Sequence, residues 1–484
     1  MTPVFIPWAA LAVLFPLAGA IWVRFMHDPE QARTHSLAVC GLSLFCCASA
    51  WFFLDSASGM EPEGGFLPHL SLFSVDALSA PLLSLGALLY LLVVLATLGI
   101  KLRRISFSSV LVSEAILLAT FSSTQPWAII ALLAAGTVPP WVELYLQRKP
   151  LRVYTVHMAL FIGLLFAGQT LLSTNPDPAE RSTLGAALLM AAVLVRSGIL
   201  PLHCWLTDSF EHASFGTALL FMTPMVGAYA ALRLVFPVSP DWMLHGVTVL
   251  SLTTALYAAG MALVQKDARR FFCYLFLSHS SLVFVGLEMA TPVGVTGALC
   301  AWLSVGLSMA GFGLTLRAIE TRTGRLSLDK FHGLFAHTPR LGALFLITGL
   351  ASIGFPGTIG FIGAELLVEG AMRASPFVGI ALVVTAALNG LAVLHAYFRV
   401  FTGTHHVSSV DLQSRPPEVI AVLVLSALII GGGLYPQPGV ASRYTTATEL
   451  VQQRADGLKP TSDEQSDQQI AETVGTDGTE ASHH

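Results

Sequence analysis

The sequence predicts an all-α membrane protein of about fourteen transmembrane helices, and three observations carry that prediction. Of 484 residues, 54% are hydrophobic and 11% charged, whereas soluble domains carry about a quarter charged residues. Apolar runs recur almost from end to end, each long enough to cross a hydrocarbon core about 30 Å thick. These runs far exceed barrel strands, and only helices and closed barrels satisfy every backbone hydrogen bond in lipid, so the bundle is helical.

The runs lie near 3–24, 35–55, 77–100, 107–123, 126–146, 152–173, 184–206, 215–236, 243–264, 271–288, 294–316, 341–371, 376–402 and 417–435. The first has no positive residue before it and is too long for a signal-peptide core, so a retained spanning helix is expected. Beyond residue 438 the chain turns rich in Asp, Glu, Gln and Thr, the composition of a disordered tail.

Loop charge sets the expected orientation. The loops after odd-numbered runs hold 18 of the 25 Lys and Arg, among them Arg103, Arg148, Arg269, Arg317, Arg322 and Lys330. By the positive-inside rule these loops are cytoplasmic, and both termini fall on the outer side of a cell inner (plasma) membrane. A missed or invented helix would scramble this alternation.

The net charge of −4 comes with no basic stripe, so nucleic acid is not an expected partner. The six cysteines form no CxxC pair, and no metal or cluster site is expected from them. Without a P-loop or a GxGxxG after a strand, no cofactor is expected either.

Two apolar runs carry proline in matching settings: Arg196-Ser-Gly-Ile-Leu-Pro201-Leu-His203-Cys-Trp205, and Ser352-Ile-Gly-Phe-Pro356-Gly357-Thr-Ile-Gly360. Proline removes a helix hydrogen bond and clashes with the preceding turn, so breaks are expected at Pro201 and Pro356. Such a pair is either two ordinary kinks or the mark of inverted repeats with an ion path at the breaks.

Ionisable groups inside membrane helices are costly and are functional candidates by default. Here they are Glu114, Glu143, His157, Arg196, His203, His279, Glu365, Glu369 and His395. Arg196, His203, His279 and Glu365 are the expected path. His203 follows the proline, where it either relays protons or caps the broken backbone. His279 lies in a serine stripe, while Glu365 and Glu369 share a helix face at i, i+4. Glu369 either joins that path or marks the outer interface.

The stretches Phe73-Ser-Val-Asp76-Ala-Leu-Ser79, Arg196 to Asp208, Ala262 to Arg270 running into Tyr274 and Ser278-His279-Ser280, and Gly354-Phe-Pro356-Gly357-Thr358 with Phe361-Ile-Gly363 resemble, in order and spacing, the proton-conducting membrane transporter family. That family holds the antiporter-like L, M and N subunits of NADH–quinone oxidoreductase and the Mrp-type antiporters; subunit M is nearest. The resemblance spans about residues 70 to 405 and implies two inverted five-helix repeats. Three helices would then fill 1–106, the repeats 107–236 and 243–402, and a last helix 403–437, before the tail 438–484.

It also implies a non-redox membrane subunit of a multi-subunit, proton- or cation-translocating quinone oxidoreductase-like complex, with other membrane subunits and the lipid bilayer as partners. The family's charged axis is altered in this chain. Its helix-five glutamate falls on Ala134, the partner lysine on Arg196, the helix-eleven lysine on Met309, and the last glutamate on Ala364, with Glu365 about 100° round the helix. Arginine does not release its proton in the working pH range. The alternative is therefore a degenerate scaffold or a cation-coupling partner in an inorganic-carbon uptake complex.

Overall fold

A computed structural model describes residues 7–54, 73–99, 102, 105–174, 182–403 and 413–458, and they are overwhelmingly helical. The helices are α1 (Trp8–Arg24), α2 (Pro29–Phe52), α3 (Ser79–Leu95), α4 (Phe107–Ser122), α5 (Pro126–Gly136), α6 (Val138–Leu146), α7 (Arg152–Thr174) and α8 (Thr183–Ser197). There follow α9 (Cys204–His212), α10 (Phe215–Met222) and α11 (Val226–Ala230), which runs into a π-turn at Ala231–Val235. The remainder are α12 (Asp241–Val264), α13 (Ala268–Glu288), α14 (Pro292–Thr323), α15 (Pro339–Ser352), α16 (Ile359–Ala374), α17 (Pro376–Phe401), α18 (Pro416–Leu434) and α19 (Gln437–Gly457).

Among the described residues, nine helices or helix pairs are long and apolar enough to cross a membrane, and five shorter apolar helices accompany them. Each coincides with one of the apolar runs. Their starts follow local chemistry. Asp28, Ser106, Ser182, Ser214, Asp267 and Thr291 each accept a hydrogen bond from a first-turn backbone N–H, satisfying donors that a helix start leaves orphaned.

Helices α13 and α14 are buried nearly all round, so they form the centre. The periphery exposes Phe52, Leu146, Phe377, Ile380, Val383 and Leu391, apolar surface suited to lipid rather than water.

Contacts between helix ends sort the connections into two faces. At one, Arg269 pairs with Glu320 at 2.9 Å, Arg322 with Glu418 at 2.5 Å, and Lys266 with Asp329 at 3.7 Å. At the other, Arg233 pairs with Asp76 at 2.5 Å, and Arg454 with Asp241 at 2.7 Å. The first set joins only connections read as cytoplasmic; the second joins only those read as outer. Burial pushes the Asp76 carboxyl up, but the Arg233 guanidinium and the Ser79 hydrogen bonds more than reverse this, leaving it below its ordinary value. That pair stabilises fully above the ordinary carboxylate range and fades as pH falls through the lowered value.

Two readings need correction. The segment expected as a disordered tail begins as helix α19, because two of its arginines dock: Arg443 donates to Ala77 O at 2.7 Å, and Arg454 donates to Phe236 O and Asp241. Residues 459–484 and most of the loop 56–75 lie outside the described residues. Arg317, counted as a loop residue, lies buried within α14 and donates to Thr97 Oγ1 at 2.8 Å and Val93 O at 3.3 Å. A helix of 32 residues is about 48 Å long and outreaches the hydrocarbon, so its last turns carry charge.

Both expected breaks are present. Helix α8 ends at Gly198, φ 68°, and α9 resumes at Cys204. Helix α15 ends at Ser352, with Gly354 and Gly357 at φ 79° and 85° before α16, left-handed conformations that glycine adopts without a Cβ clash. A Cβ on Gly360, just past that break, would lie 2.2 Å from Ala351 O and 2.8 Å from Ser304 Oγ. Gly360→Ala is therefore expected to cost about 1–3 kcal/mol, read as a lowered unfolding midpoint in detergent; an unchanged midpoint would mean the break has slack.

Candidate functional site

The first break is stitched by side chains. Trp205 Nε1 donates to Val195 O at 2.8 Å, sharing with Gly198 N a carbonyl at the end of α8, and Leu200 N donates to Thr254 Oγ1 of α12 at 3.1 Å. Arg196 lies one turn before the break and is 4% exposed.

Its placement depends on a third interruption that the sequence reading missed. Met222 and Val226 are separated by Pro224 and by Met225, a non-glycine residue at φ 53°. In that conformation Met225 N–H bonds Met222 O, not Phe221 O as an unbroken helix would require. Arg196 Nη2 takes the freed Phe221 carbonyl at 3.1 Å, and Trp302 Nε1 takes Pro224 O at 3.1 Å. The guanidinium lies 4.0 Å from the Phe221 ring centroid and 5.5 Å from that of Trp205, within cation–π range. Pro224 inside an apolar run was the available signal, as for Pro201.

His203 sits in the turn between α8 and α9, half-buried, its ring 5.6 Å from Tyr257 and 6.3 Å from Tyr274. Its Nδ1 is buried without a partner among the described residues. His279 lies inside α13, 3% exposed, with Nε2 likewise unpartnered.

Helix α12 connects these positions. Thr254 holds the first break, and the neighbouring Ala255 carbonyl accepts from Ser278 Oγ at 2.9 Å. Ser278 in turn accepts from Asn389 Nδ2 of α17 at 2.9 Å. A Cβ on Gly390 would touch Ile353 at 3.2 Å, so Asn389 stands next to the second break. Buried polar groups are thus spaced between the two breaks: Thr254 at the first, then Ser278, then Asn389, whose neighbour Gly390 packs against Ile353 of the second. Asn389 was missed because only ionisable groups were sought in the apolar runs.

Glu365 is not brought to this group. It sits on the exposed face of α16, whereas position 364 faces the second break: a Cβ on Gly354 would lie 3.0 Å from that of Ala364. One position along a helix is about 100°, and that rotation carries Glu365 outward. Glu369 is also exposed and pairs with Arg373 at 2.5 Å.

Other buried acids stand elsewhere. Glu114 Oε2 accepts from the Cys40 thiol at 3.0 Å, and Glu288 lies 3.5 Å from Ser251 Oγ. Glu143 accepts from Ser214 N at 3.0 Å and from the Thr217 hydroxyl. It lines a cavity of about 450 Å³ whose wall follows α4 from Ser106 to Thr120 and reaches Arg196.

Helix pattern, breaks and interior polar groups together invite comparison with known membrane proteins. Residues 153–389 match the family model described as the NADH:quinone oxidoreductase/Mrp antiporter transmembrane region. The chain belongs to this family. Among its relatives, NAD(P)H-quinone oxidoreductase chain 4 of Acaryochloris marina is 26% identical, with 93% of each protein covered. A chain 4 protein of Thermosynechococcus vestitus is 27% identical, with 96% of each covered.

This antiporter-family chain superposes on a chain of respiratory complex I from Thermus thermophilus with a TM-score of 0.79, at 23% identity, covering 92% of this chain and 99% of the other. A chain of the Mrp complex from Dietzia sp. DQ12-45-1b gives the same TM-score at 18% identity, with 94% and 100% covered. Those two structures are multi-subunit membrane complexes. The antiporter-family chain is thus a multi-pass membrane protein of the complex I and Mrp antiporter class.

Proposed function

We propose that this chain is the proton- or cation-conducting membrane subunit of an ion-translocating quinone oxidoreductase-like complex, built from fourteen spanning helices with two inverted five-helix repeats. The observation that carries the reading is the set of buried polar groups between the two breaks, Thr254, Ser278 and Asn389, with Arg196 one turn before the first break, His203 within it and His279 next to Ser278 in α13. Unpartnered imidazole nitrogens at His203 and His279 suit groups that receive and pass on a proton through water. Arg196 keeps its proton and acts as a fixed charge biasing its neighbours. Glu365 faces outward, so its place in a path requires a neighbouring subunit to cover it.

Phenylalanine at position 279 fills the site without a titratable group. His279→Phe is expected to lower proton uptake by energised vesicles of the native complex about tenfold at equal protein level, a change of about 1.4 kcal/mol in the barrier. Uptake equal to the parent removes His279 from the path.

Neutral Ala134, Met309 and Ala364 at three of the family's charged positions favour a second reading, a scaffold or cation-coupling partner in an inorganic-carbon uptake complex. Subunits that co-purify from native membrane separate the two: quinone-reductase partners support the first, and a large soluble carbonic-anhydrase-like partner the second.

The proposed orientation puts both termini outside. Cysteine introduced at Gln453, exposed on α19, is expected to react with an impermeant maleimide on intact cells, and cysteine at exposed Lys330 only after lysis. Equal labelling of both defeats this topology.

A further inference from the structure

Arg196 lacks the carboxylate partner that most arginines reaching into this bundle have; Arg443, held by Ala77 O and Ser442 Oγ, is a similar case but does not line the cavity that reaches Arg196. Arg233, Arg269, Arg322 and Arg454 each meet a carboxylate within 2.9 Å. Arg196 is 4% exposed, and among the described residues it makes no ion pair; one carbonyl at 3.1 Å, a thioether sulfur at 3.9 Å and two aromatic faces surround it. A carbonyl and ring faces solvate a cation only in part, and a buried charge is retained only where something compensates it. The guanidinium has five N–H groups, and two of its nitrogens are engaged by Phe221 and Met222.

The cavity of about 450 Å³ ends on this side chain. At about 30 Å³ per water, it holds an ion with part of its hydration shell. Its walls bring Arg24, Ser109, Ser113 and Gln147 together with Arg196. The one wall carboxylate, Glu143, is held by Ser214 N, the Thr217 hydroxyl and Gln147 Nε2, and it makes no ion pair with Arg196.

We propose that this cavity binds a small monovalent anion, chloride in the simplest case, with the Arg196 guanidinium as its principal ligand. The anion neutralises the buried cation in place of the carboxylate partner that Arg233, Arg269, Arg322 and Arg454 have. It also sets the strength of the field that Arg196 exerts on the polar groups between the breaks. A monovalent anion fits because one unpaired positive charge is available at the cavity's inner end. The site uses the arginine of the proposed path but does not depend on conduction, since binding is read without energised membranes.

Bromide is the probe, because heavy halides quench indole fluorescence on contact. Phe221 lines the cavity, with its ring centroid 4.0 Å from Arg196 Cζ, so a Phe221→Trp variant places an indole against the proposed anion. The difference between the Phe221→Trp variant in nanodiscs and the parent chain isolates this indole's emission. That emission is expected to be quenched by bromide saturably, with chloride competing.

In that background, Arg196→Gln is expected to raise the half-saturating bromide concentration about tenfold or more, and Arg196→Lys by about threefold or less. Ser113→Leu, which narrows the cavity without touching the arginine, is expected to weaken binding as well. It carries the test if Arg196→Gln fails to fold. Linear, non-saturating quenching overturns the proposal, as does saturation unchanged in a folded Arg196→Gln variant or, failing that variant, in Ser113→Leu.

Discussion

Arg196→Leu is expected to cut proton uptake by energised vesicles about tenfold or more, while Arg196→Lys keeps a measurable part of it. The guanidinium is the charge placed one turn before the first break, held by a carbonyl that exists only because the helix is interrupted again at Pro224 and Met225. Lysine restores the charge with less reach and no planar fork. Leucine removes the charge and leaves the Phe221 carbonyl without its donor.

Stability is expected to change far less, by under about 2 kcal/mol in either direction. Losing the cation–π contacts and one hydrogen bond is offset by no longer burying a charge. The two measurements therefore separate: vesicle uptake reports the field, and the unfolding midpoint in detergent reports the fold. If Arg196→Leu vesicles build the same gradient as the parent at equal protein level, the arginine has no electrostatic role and the scaffold reading stands.

The largest effect on stability is expected at the face carrying the basic connections. Arg322 donates to both oxygens of Glu418, at 2.5 and 3.2 Å, and to Gln413 O at 2.9 Å, with the two side chains 9% and 6% exposed. Glu418 Oε2 also accepts from Arg415 N at 3.2 Å, so one carboxylate ties α14 to the start of α18. Arg322→Ala strands that carboxylate away from water, which costs about 3–5 kcal/mol. Adding Glu418→Gln to the same chain is expected to recover part of the loss, because the stranded charge is then gone. A midpoint for Arg322→Ala within about 1 kcal/mol of the parent would show that water reaches Glu418 freely.

The helices were legible in the sequence because lipid leaves the chain few choices. An apolar run of spanning length has to be helical, so each run coincides with a helix or an interrupted pair of helices. Pro201 and Pro356 marked breaks for a local reason, the missing N–H. Pro224 carried the same signal and was passed over, although its break is the one that holds Arg196. Polar but uncharged Asn389 escaped a search confined to ionisable groups, and it bridges toward the second break.

What the sequence determined by itself is the number and order of apolar helices, the two recognised breaks, the family, and the identity of the charges available inside the bundle. These depend on composition and on near neighbours along the chain. Only the tertiary structure decided which charges meet. It turned Glu365 outward because a one-residue offset is about 100° of helix, folded α19 because Arg443 and Arg454 found carbonyls and Asp241 on distant connections, and left Arg196 without a carboxylate at the end of a cavity. Those outcomes rest on contacts between residues far apart in the chain, which local pattern does not encode.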